Sequence, residues 1–598
     1  MSDASRRVPP VAVAALALIG LQLAVRAGLA FGGYFYWDDL ILVGRAGTRP
    51  LLSPGNLFTD HDGHVMPAAF LLSGVITRAA PLVWLWPAVS MLVLQLLASL
   101  ALLRALWVIL GRRPVLLVPL CFALFTPLTV PSFAWWAAAL NYLPMLAALA
   151  WVCADAVLLI RTGKQRYAIT ATLAYLGGLL FFEKSAVIPF VAFTIVTLIW
   201  HVEGRGGVIA GVWRAGMRLW ASLLGLTALW AGLYVAVVNQ QRWSHDLAMT
   251  WDLLSRSITH GIVPGLAGGP WQWQRWAPAS PWAVPPVGAM ALGWLALFVV
   301  VTISLLRKQR IGALWLTAAG YAVGCQIPIY LMRSSAFTAL ELAQTLRYLP
   351  DLVFVLALLA AVGLRAPNRE GSRWMDAAPR RTAVLATLLT AFVASSLVST
   401  RTFLSSWQDN PTKAYLQNAV AGLATARSQS SAPMLDQEVD PLILQRVVGP
   451  ENLASHMFAL ITDRPEFSQS TELLRMLDSN GHVVDADVTW VRRIAPGPTA
   501  QCGYLVQPDA PARLVLDGPL LPAEWTAEVN YLANSEGTMV MSLPVGPQAR
   551  VRVKPGLNRV FVRLSGAGDA IDVRAETTAL SVCVAAGPVG YLATRPTG

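Results

Sequence analysis

Long apolar runs fill the first two-thirds of this chain, and short alternating runs fill the last third. Most of the apolar runs reach the roughly 18–20 residues that an α-helix needs to cross a bilayer. They predict a membrane all-α fold of about eleven transmembrane helices, at about 10–31, 82–109, 114–130, 136–160, 166–182, 185–201, 211–238, 286–306, 311–332, 346–364 and 382–400. A further apolar stretch, from Pro67 to about Arg78, is too short to span. It reads as an amphipathic helix lying along the interface. The run from Val11 follows Arg6-Arg7 as in a signal peptide, but its length and the lack of a small-residue cleavage site make it the first span.

Past Arg401 the hydrophobicity falls. Residues from about 412 to 495 mix helical stretches, Leu416 to Arg427 and Pro450 to Ile461, with short strands. Pro496-Gly497-Pro498 then marks a boundary. Beyond it, Ala512–Leu516, Thr538–Ser542, Arg550–Val553, Arg559–Arg563 and Leu580–Val584 tend toward period two and predict a β-sandwich. Three parts are therefore expected: a polytopic membrane domain over 1–401, a mixed α/β segment over 402–498 and a β-sandwich over 499–598 that either binds carbohydrate, braces the membrane part or contacts a partner. Cys502 and Cys583 lie in or beside the first and last strands, placed for a disulfide outside the cytoplasm. Cys121, Cys153 and Cys325 sit in apolar segments as packed thiols, and no Cys/His spacing suggests zinc.

Composition agrees with a membrane class. Of 598 residues, 56% are hydrophobic and only 13% charged, and the mean hydropathy of +0.54 is outside the usual soluble range. Residues 402–598 hold fifteen Lys+Arg against nineteen Asp+Glu, a net of −4, so the total of +12 leaves +16 on residues 1–401. That excess flanks helices instead of forming one patch, which argues for topology and against nucleic acid. Arg6-Arg7, Gly111-Arg112-Arg113, Arg161–Arg166, Arg205–Arg218, Arg307–Arg310 and Arg365–Arg381 alternate with cation-poor loops. The arginine-rich set is expected in the cytoplasm, with the N-terminus; the other set and residues 402–598 are expected outside the cytoplasmic membrane. One outward loop, 239–285, carries Trp243, Trp251, Trp271, Trp273, Trp276 and Trp282. Such a loop either rests among lipid headgroups or stacks on sugar rings.

Four outward segments carry candidate chemistry. In Tyr36-Trp37-Asp38-Asp39, adjacent carboxylates can bind a divalent cation such as Mg or Mn, raise one another's pKa to make a general base, or cap the next helix. Asp60-His61-Asp62-Gly63-His64 can ligate a metal together with Asp38 and Asp39, hydrogen-bond a sugar, or form a polar turn. Lys184, one of only five lysines, lies between two apolar helices beside Glu183. A charge there costs about 2.5–3.5 kcal/mol and is retained opposite a fixed anion. Arg347-Tyr348, with Arg333 and Glu341 in the preceding loop, can hold phosphate oxygens or anchor the interface. Together these supply a base for an acceptor hydroxyl and a clamp for a phosphate leaving group.

On these residues the chain resembles the GT-C superfamily of membrane glycosyltransferases, of the protein O-mannosyltransferase, aminoarabinose transferase and actinobacterial arabinosyl- or mannosyltransferase types. Asp38 or Asp39 matches an acid in the first outer loop, followed by an interfacial helix. Phe182-Glu183-Lys184-Ser185-Ala186 resembles a Lys-containing outer turn, and Arg347-Tyr348-Leu349-Pro350 a late Arg-Tyr-Leu-X-Pro-like segment. Some relatives have Asp-Glu where this chain has Asp38-Asp39, which leaves the identity of the base open. The resemblance implies inverting transfer of a sugar from a polyprenyl-phosphate donor to a glycan, lipid or protein acceptor, with Asp38 or Asp39 as base. It also implies Lys184, Arg347 and Tyr348 at the donor phosphate, with His61, Asp62, His64, Glu183, Arg333 and Glu341 as acceptor or auxiliary residues. Two other classes compete. A flippase of lipid-linked sugars needs midplane charges and internal repeats, and a non-catalytic glycan-binding scaffold needs neither.

Overall fold

The computed structural model describes residues 10–238, 246–335, 337–369 and 378–595; Arg6, Arg7, Trp243 and residues 370–377 of the last arginine-rich loop lie outside them. The chain divides into two compact units. Unit 1 comprises the residues up to Leu42 and Arg49–Asn410, and unit 2 comprises Val43–Thr48 and the residues from Pro411 on.

Among the described residues of the chain, eight helices are long and apolar enough to cross a membrane, and the bent pair Pro114–Phe125 and Pro127–Ala134 makes a ninth if counted as one span. The protein is a multi-pass membrane protein. The expected eleven spans fall short at two places. Helices form at Arg166–Phe181 and Pro350–Arg365, but each has 16 residues, about 24 Å at 1.5 Å per residue against roughly 30 Å of hydrocarbon. Pro67–Ala79 forms the expected short apolar helix.

Unit 1 packs around Trp136–Thr162. This helix is apolar on all sides and studded with alanine, so neighbouring backbones approach it closely. In its most apolar stretch 72% of the residues are buried, against 11% in Val287–Arg307. Its main neighbours are Leu85–Leu110, Arg166–Phe181 and Ile188–Val202. Buried Asp155 on this helix accepts hydrogen bonds from Arg104 and from Thr170. The tryptophan-rich loop folds into the helix Leu247–Arg256 and a small hairpin, Trp273–Gln274 with Trp282–Ala283. Trp271 and Trp273 donate to Ser395 and to the Ser399 carbonyl, whereas Trp251 and Trp276 stay exposed.

Unit 2 centres on a ten-stranded sheet with a large apolar core and a smaller one at Leu435, Leu474, Ala486 and Phe561. Four of the five predicted strand segments lie in strands and the fifth, Leu580–Val584, is strand only over Val582–Val584; two strands are far longer than the pattern suggested. Ala512–Ala533 and Gly556–Ala575 pair with each other along most of their length, with irregularities at Gly566 and Gly568. Pro496-Gly497-Pro498 does not separate two bodies, because Val483–Arg493, on its far side, pairs with Pro588–Thr594. Cys502 and Cys583 form a disulfide with Cα atoms 4.8 Å apart. The other three cysteines are buried.

Candidate active site in the membrane unit

The first helix ends at Gly32, and aromatic packing fixes the segment beyond it: Phe35 lies 5.0 Å from Trp84 and 6.3 Å from Trp136, ring to ring. Trp84 donates to the Ala30 carbonyl at 2.8 Å. This clamp delivers two adjacent acids into different surroundings. Asp39 is fully buried. Its Oδ2 accepts from the Tyr36 amide at 2.9 Å, and its Oδ1 accepts from the Ala137 amide at 2.8 Å. Ala137 lies in the first turn of Trp136–Thr162, where a carboxylate meets free amides and the positive end of the helix dipole. The acid therefore caps a helix 98 residues away instead of the one next to it in the chain.

Asp38 is half-buried, and no described residue gives its carboxylate a hydrogen bond or ion pair. Burial pushes its pKa above the ordinary value; His61, Arg347 and His64 pull it down, and Asp62 adds to the rise. The carboxyl thus stays unpaired in the electrostatic field of one guanidinium and two imidazoles.

The segment Asp60–His64 is a tight turn. Asp60 Oδ1 accepts from the Gly63 amide at 2.7 Å, and His61 and His64 exchange backbone bonds at 3.0 Å. Its side chains reach outward to other segments. His64 Nδ1 lies 2.7 Å from Glu183 Oε1, Asp62 Oδ2 lies 3.2 Å from Arg333 Nη2, and the Gly63 carbonyl accepts from Tyr234 at 2.9 Å. Burial lowers the His64 pKa, but the Glu183 carboxylate more than reverses this, leaving it raised. His61 packs edge-on against Phe70.

Glu183 therefore pairs with His64 and not with Lys184. Lys184 Nζ donates to Asp351 Oδ1 at 2.8 Å and to the Tyr348 carbonyl at 3.0 Å. Asp351 is fully buried, and its Oδ2 accepts from Tyr321 at 2.7 Å. The fixed anion expected opposite Lys184 is thus the chain's own carboxylate, not an open phosphate position. Sequence reasoning passed over Asp351, although a lone acid in an apolar run just after Pro350 is a signal of the same kind as Lys184 itself.

The pair Arg347-Tyr348 adjoins this ion pair through the Tyr348 carbonyl. Arg347 Nη2 donates to the Tyr348 hydroxyl at 2.7 Å, and its guanidinium lies 5.1 Å from the Trp135 ring and 4.9 Å from the Tyr348 ring. Arg333 lies 5.9 Å from the Tyr348 ring. Burial would raise the Tyr348 pKa, but Arg333 and Arg347 outweigh it and hold the phenol below its usual range. Glu341 opens the short helix Glu341–Gln344 and makes no hydrogen bond or ion pair with the described residues of this group.

Three non-glycine residues with left-handed backbone border the cluster: Trp37 (φ 44°) before Asp38, Asp62 (φ 51°) before Gly63-His64, and Leu346 (φ 57°) before Arg347. Such conformations cost of order 1–3 kcal/mol each and persist where the surroundings impose them, commonly at functional sites. Among the described residues no three His, Cys, Asp or Glu side chains converge as metal ligands. At the Mg or Mn position expected at Asp38, Asp39 and His61, each Asp39 oxygen accepts one amide hydrogen bond.

No protein-family model matches the chain, and no curated protein matches it. Among solved structures it is similar to ArnT from Cupriavidus metallidurans bound to undecaprenyl phosphate, at 12% identity and a TM-score of 0.41, over 76% of this chain and 89% of that one. It is also similar to the oligosaccharyltransferase of Archaeoglobus fulgidus, at 13% identity and a TM-score of 0.35, over 69% of this chain and 55% of that one. A third is the mycobacterial arabinofuranosyltransferase AftD, at 13% identity and a TM-score of 0.32, over 97% of this chain and 62% of that one.

Proposed function

We propose that this chain is an inverting glycosyltransferase that moves a sugar from a polyprenyl-phosphate donor to a hydroxyl of a cell-envelope glycan, lipid or protein at the outer face of the cytoplasmic membrane. The contrast between Asp38 and Asp39 carries this reading: one carboxylate is pinned by two amides, and its neighbour is left unpaired in the field of His61 and Arg347. Asp38 takes the proton of the acceptor hydroxyl as its oxygen attacks the anomeric carbon. The bond from that carbon to the phosphate oxygen breaks, and the polyprenyl phosphate departs with the electron pair. Arg347 and Arg333 stabilise the charge that develops on it, a use of donors already held in place. Lys184, bound to Asp351 and the Tyr348 carbonyl, positions the Arg347-Tyr348 turn. The turn Asp60–His64, tied to Glu183 and Arg333, forms the acceptor side. A disulfide in unit 2 supports an outward position for that unit, since such bonds persist in oxidising compartments.

The test is to incubate purified protein with a panel of radiolabelled polyprenyl-phosphate sugars and envelope acceptors. Transfer from one donor, lost in Asp38→Asn, is the expected result. Folded protein that transfers from none of them overturns the reading.

A further inference from the structure

We infer that the arginine-rich end of the membrane unit carries a site for an anionic diacyl glycerophospholipid. The helix Leu85–Leu110 starts next to Trp84, which packs on Phe35 near the Asp38 turn. Its other end, about 30 Å along the axis, presents a groove of about 330 Å³ lined by Leu100, Leu103, Arg104, Trp107 and Val108. Most of this lining is apolar, as an acyl chain requires. Arg104 is the exception. It precedes the helix end at Leu110 by about 9 Å, so it stands inside the apolar zone. Its Nη2 donates to buried Asp155, its Nη1 donates to the Trp151 carbonyl at 3.4 Å, and its guanidinium lies 4.2 Å from the Trp151 ring. Its Nε donates to no described residue, and the side chain is 26% exposed. Asp155 neutralises the Arg104 charge. What remains is an N–H donor at the depth of the groove, which suits an ester carbonyl and not a phosphate.

The charge for a phosphate stands at the mouth. The Arg112 guanidinium lies 5.6 Å from the Trp107 ring, and Arg161 donates to the Val108 carbonyl, so both border groove residues. Both are exposed. Arg112 has no carboxylate partner among the described residues. Glu203, the acid whose field reaches Arg161, is already bound by Arg205 and Arg365. Residues 98–116 and 150–170 together hold six Lys+Arg and one Asp, a net of +5. A zwitterionic head group cannot neutralise that excess, whereas an anionic one can; basic pockets between helix ends bind such lipids. The layers match in order: phosphate at Arg112 and Arg161, ester carbonyl at Arg104, chain along Leu100 and Leu103. A polyprenyl phosphate has no ester carbonyl to offer Arg104. The groove uses no residue of the Asp38 cluster, so it stands or falls independently of sugar transfer.

The test uses the full chain in nonionic detergent, titrated with dioleoyl phosphatidylglycerol or dioleoyl phosphatidylcholine. Native mass spectrometry counts bound lipid, and thermal unfolding checks the fold. Wild type is expected to retain phosphatidylglycerol about tenfold more tightly than phosphatidylcholine. Arg112→Gln with Arg161→Gln should bring the two lipids to within about twofold. Leu100→Trp, an exposed change that fills the groove, should weaken phosphatidylglycerol about tenfold with Tm in detergent unchanged. Arg214→Gln with Arg218→Gln, two exposed guanidinia elsewhere in the membrane unit, should leave the preference intact. Equal retention of both lipids by wild type would overturn the inference. So would the same loss in both arginine pairs, which marks general surface charge, or undiminished binding to Leu100→Trp. Displacement of the retained phosphatidylglycerol by an equimolar polyprenyl phosphate would overturn it as well.

Discussion

Two groups of charges sit side by side in the membrane unit, and they are built differently. Around Lys184 every charge is matched: Asp351 takes the ammonium and the Tyr321 hydroxyl, and the Tyr348 carbonyl takes a third bond. Around Asp38 the matching is incomplete. Its carboxylate is unpaired, and Arg347 is held near two aromatic rings and by one phenol instead of a carboxylate. Closed groups hold a fold, whereas open ones have something left to offer a substrate. The same contrast separates Asp39 from Asp38 within two residues.

The comparison can be broken by substitution. Asp38→Asn is expected to lower transfer by about 10²–10⁴-fold with little change in Tm, the range typical of a lost general base. Transfer assays beside a melting curve decide it, and near-normal turnover would dissolve the distinction. In the wild type the acid limb of the pH–rate profile should lie above the ordinary carboxylate value of about 3.9, because burial raises the Asp38 pKa and the base works only when ionised. A limb at or below that value would remove Asp38 from the role.

Lys184→Ala should act mainly on stability. It strands Asp351 in the interior, at a cost of about 3–5 kcal/mol when a buried pair loses one partner. Replacing both, as Lys184→Met with Asp351→Leu, should recover most of that loss in denaturation assays. A double variant as unstable as Lys184→Ala would show that the loss does not come from the stranded carboxylate.

Arg347→Lys keeps the charge but loses the flat guanidinium near the Trp135 and Tyr348 rings. A rise of about tenfold in donor KM is expected, worth roughly 1.4 kcal/mol, with kcat less affected; no change would move the phosphate elsewhere.

The smallest effect belongs to His64. Its pKa is raised in the folded state by Glu183. The pair's contribution is therefore fully present below the unfolded value near 6.5, and it is lost as pH rises through the folded value. Melting curves against pH should show about 1 kcal/mol or less of stabilisation at the acid end, absent in His64→Gln. A wild type and variant with parallel curves would leave the turn held by its backbone alone.

Much of the architecture was legible in order along the chain. The apolar windows named the positions of most helices, the short apolar helix Pro67–Ala79 among them, and of the strand segments, because hydropathy and side-chain alternation are local properties. Cys502 and Cys583 were also legible, as two thiols in or beside strands of one domain. Span length was less so: Arg166–Phe181 and Pro350–Arg365 are apolar but too short, and only coordinates show where each helix stops. The strand Val483–Arg493 escaped for a different reason, since its partner, Pro588–Thr594, lies about a hundred residues away.

The chain's order of residues thus determined which groups were available: an acid pair, an Asp-His turn, a lone lysine and a late arginine. Tertiary structure alone decided which were spent. Asp39 went to the Ala137 amide, Glu183 to His64, and Lys184 to Asp351, each partner between 98 and 167 positions away. Pairing energies of this kind depend on three-dimensional separation and burial, quantities that no local window contains.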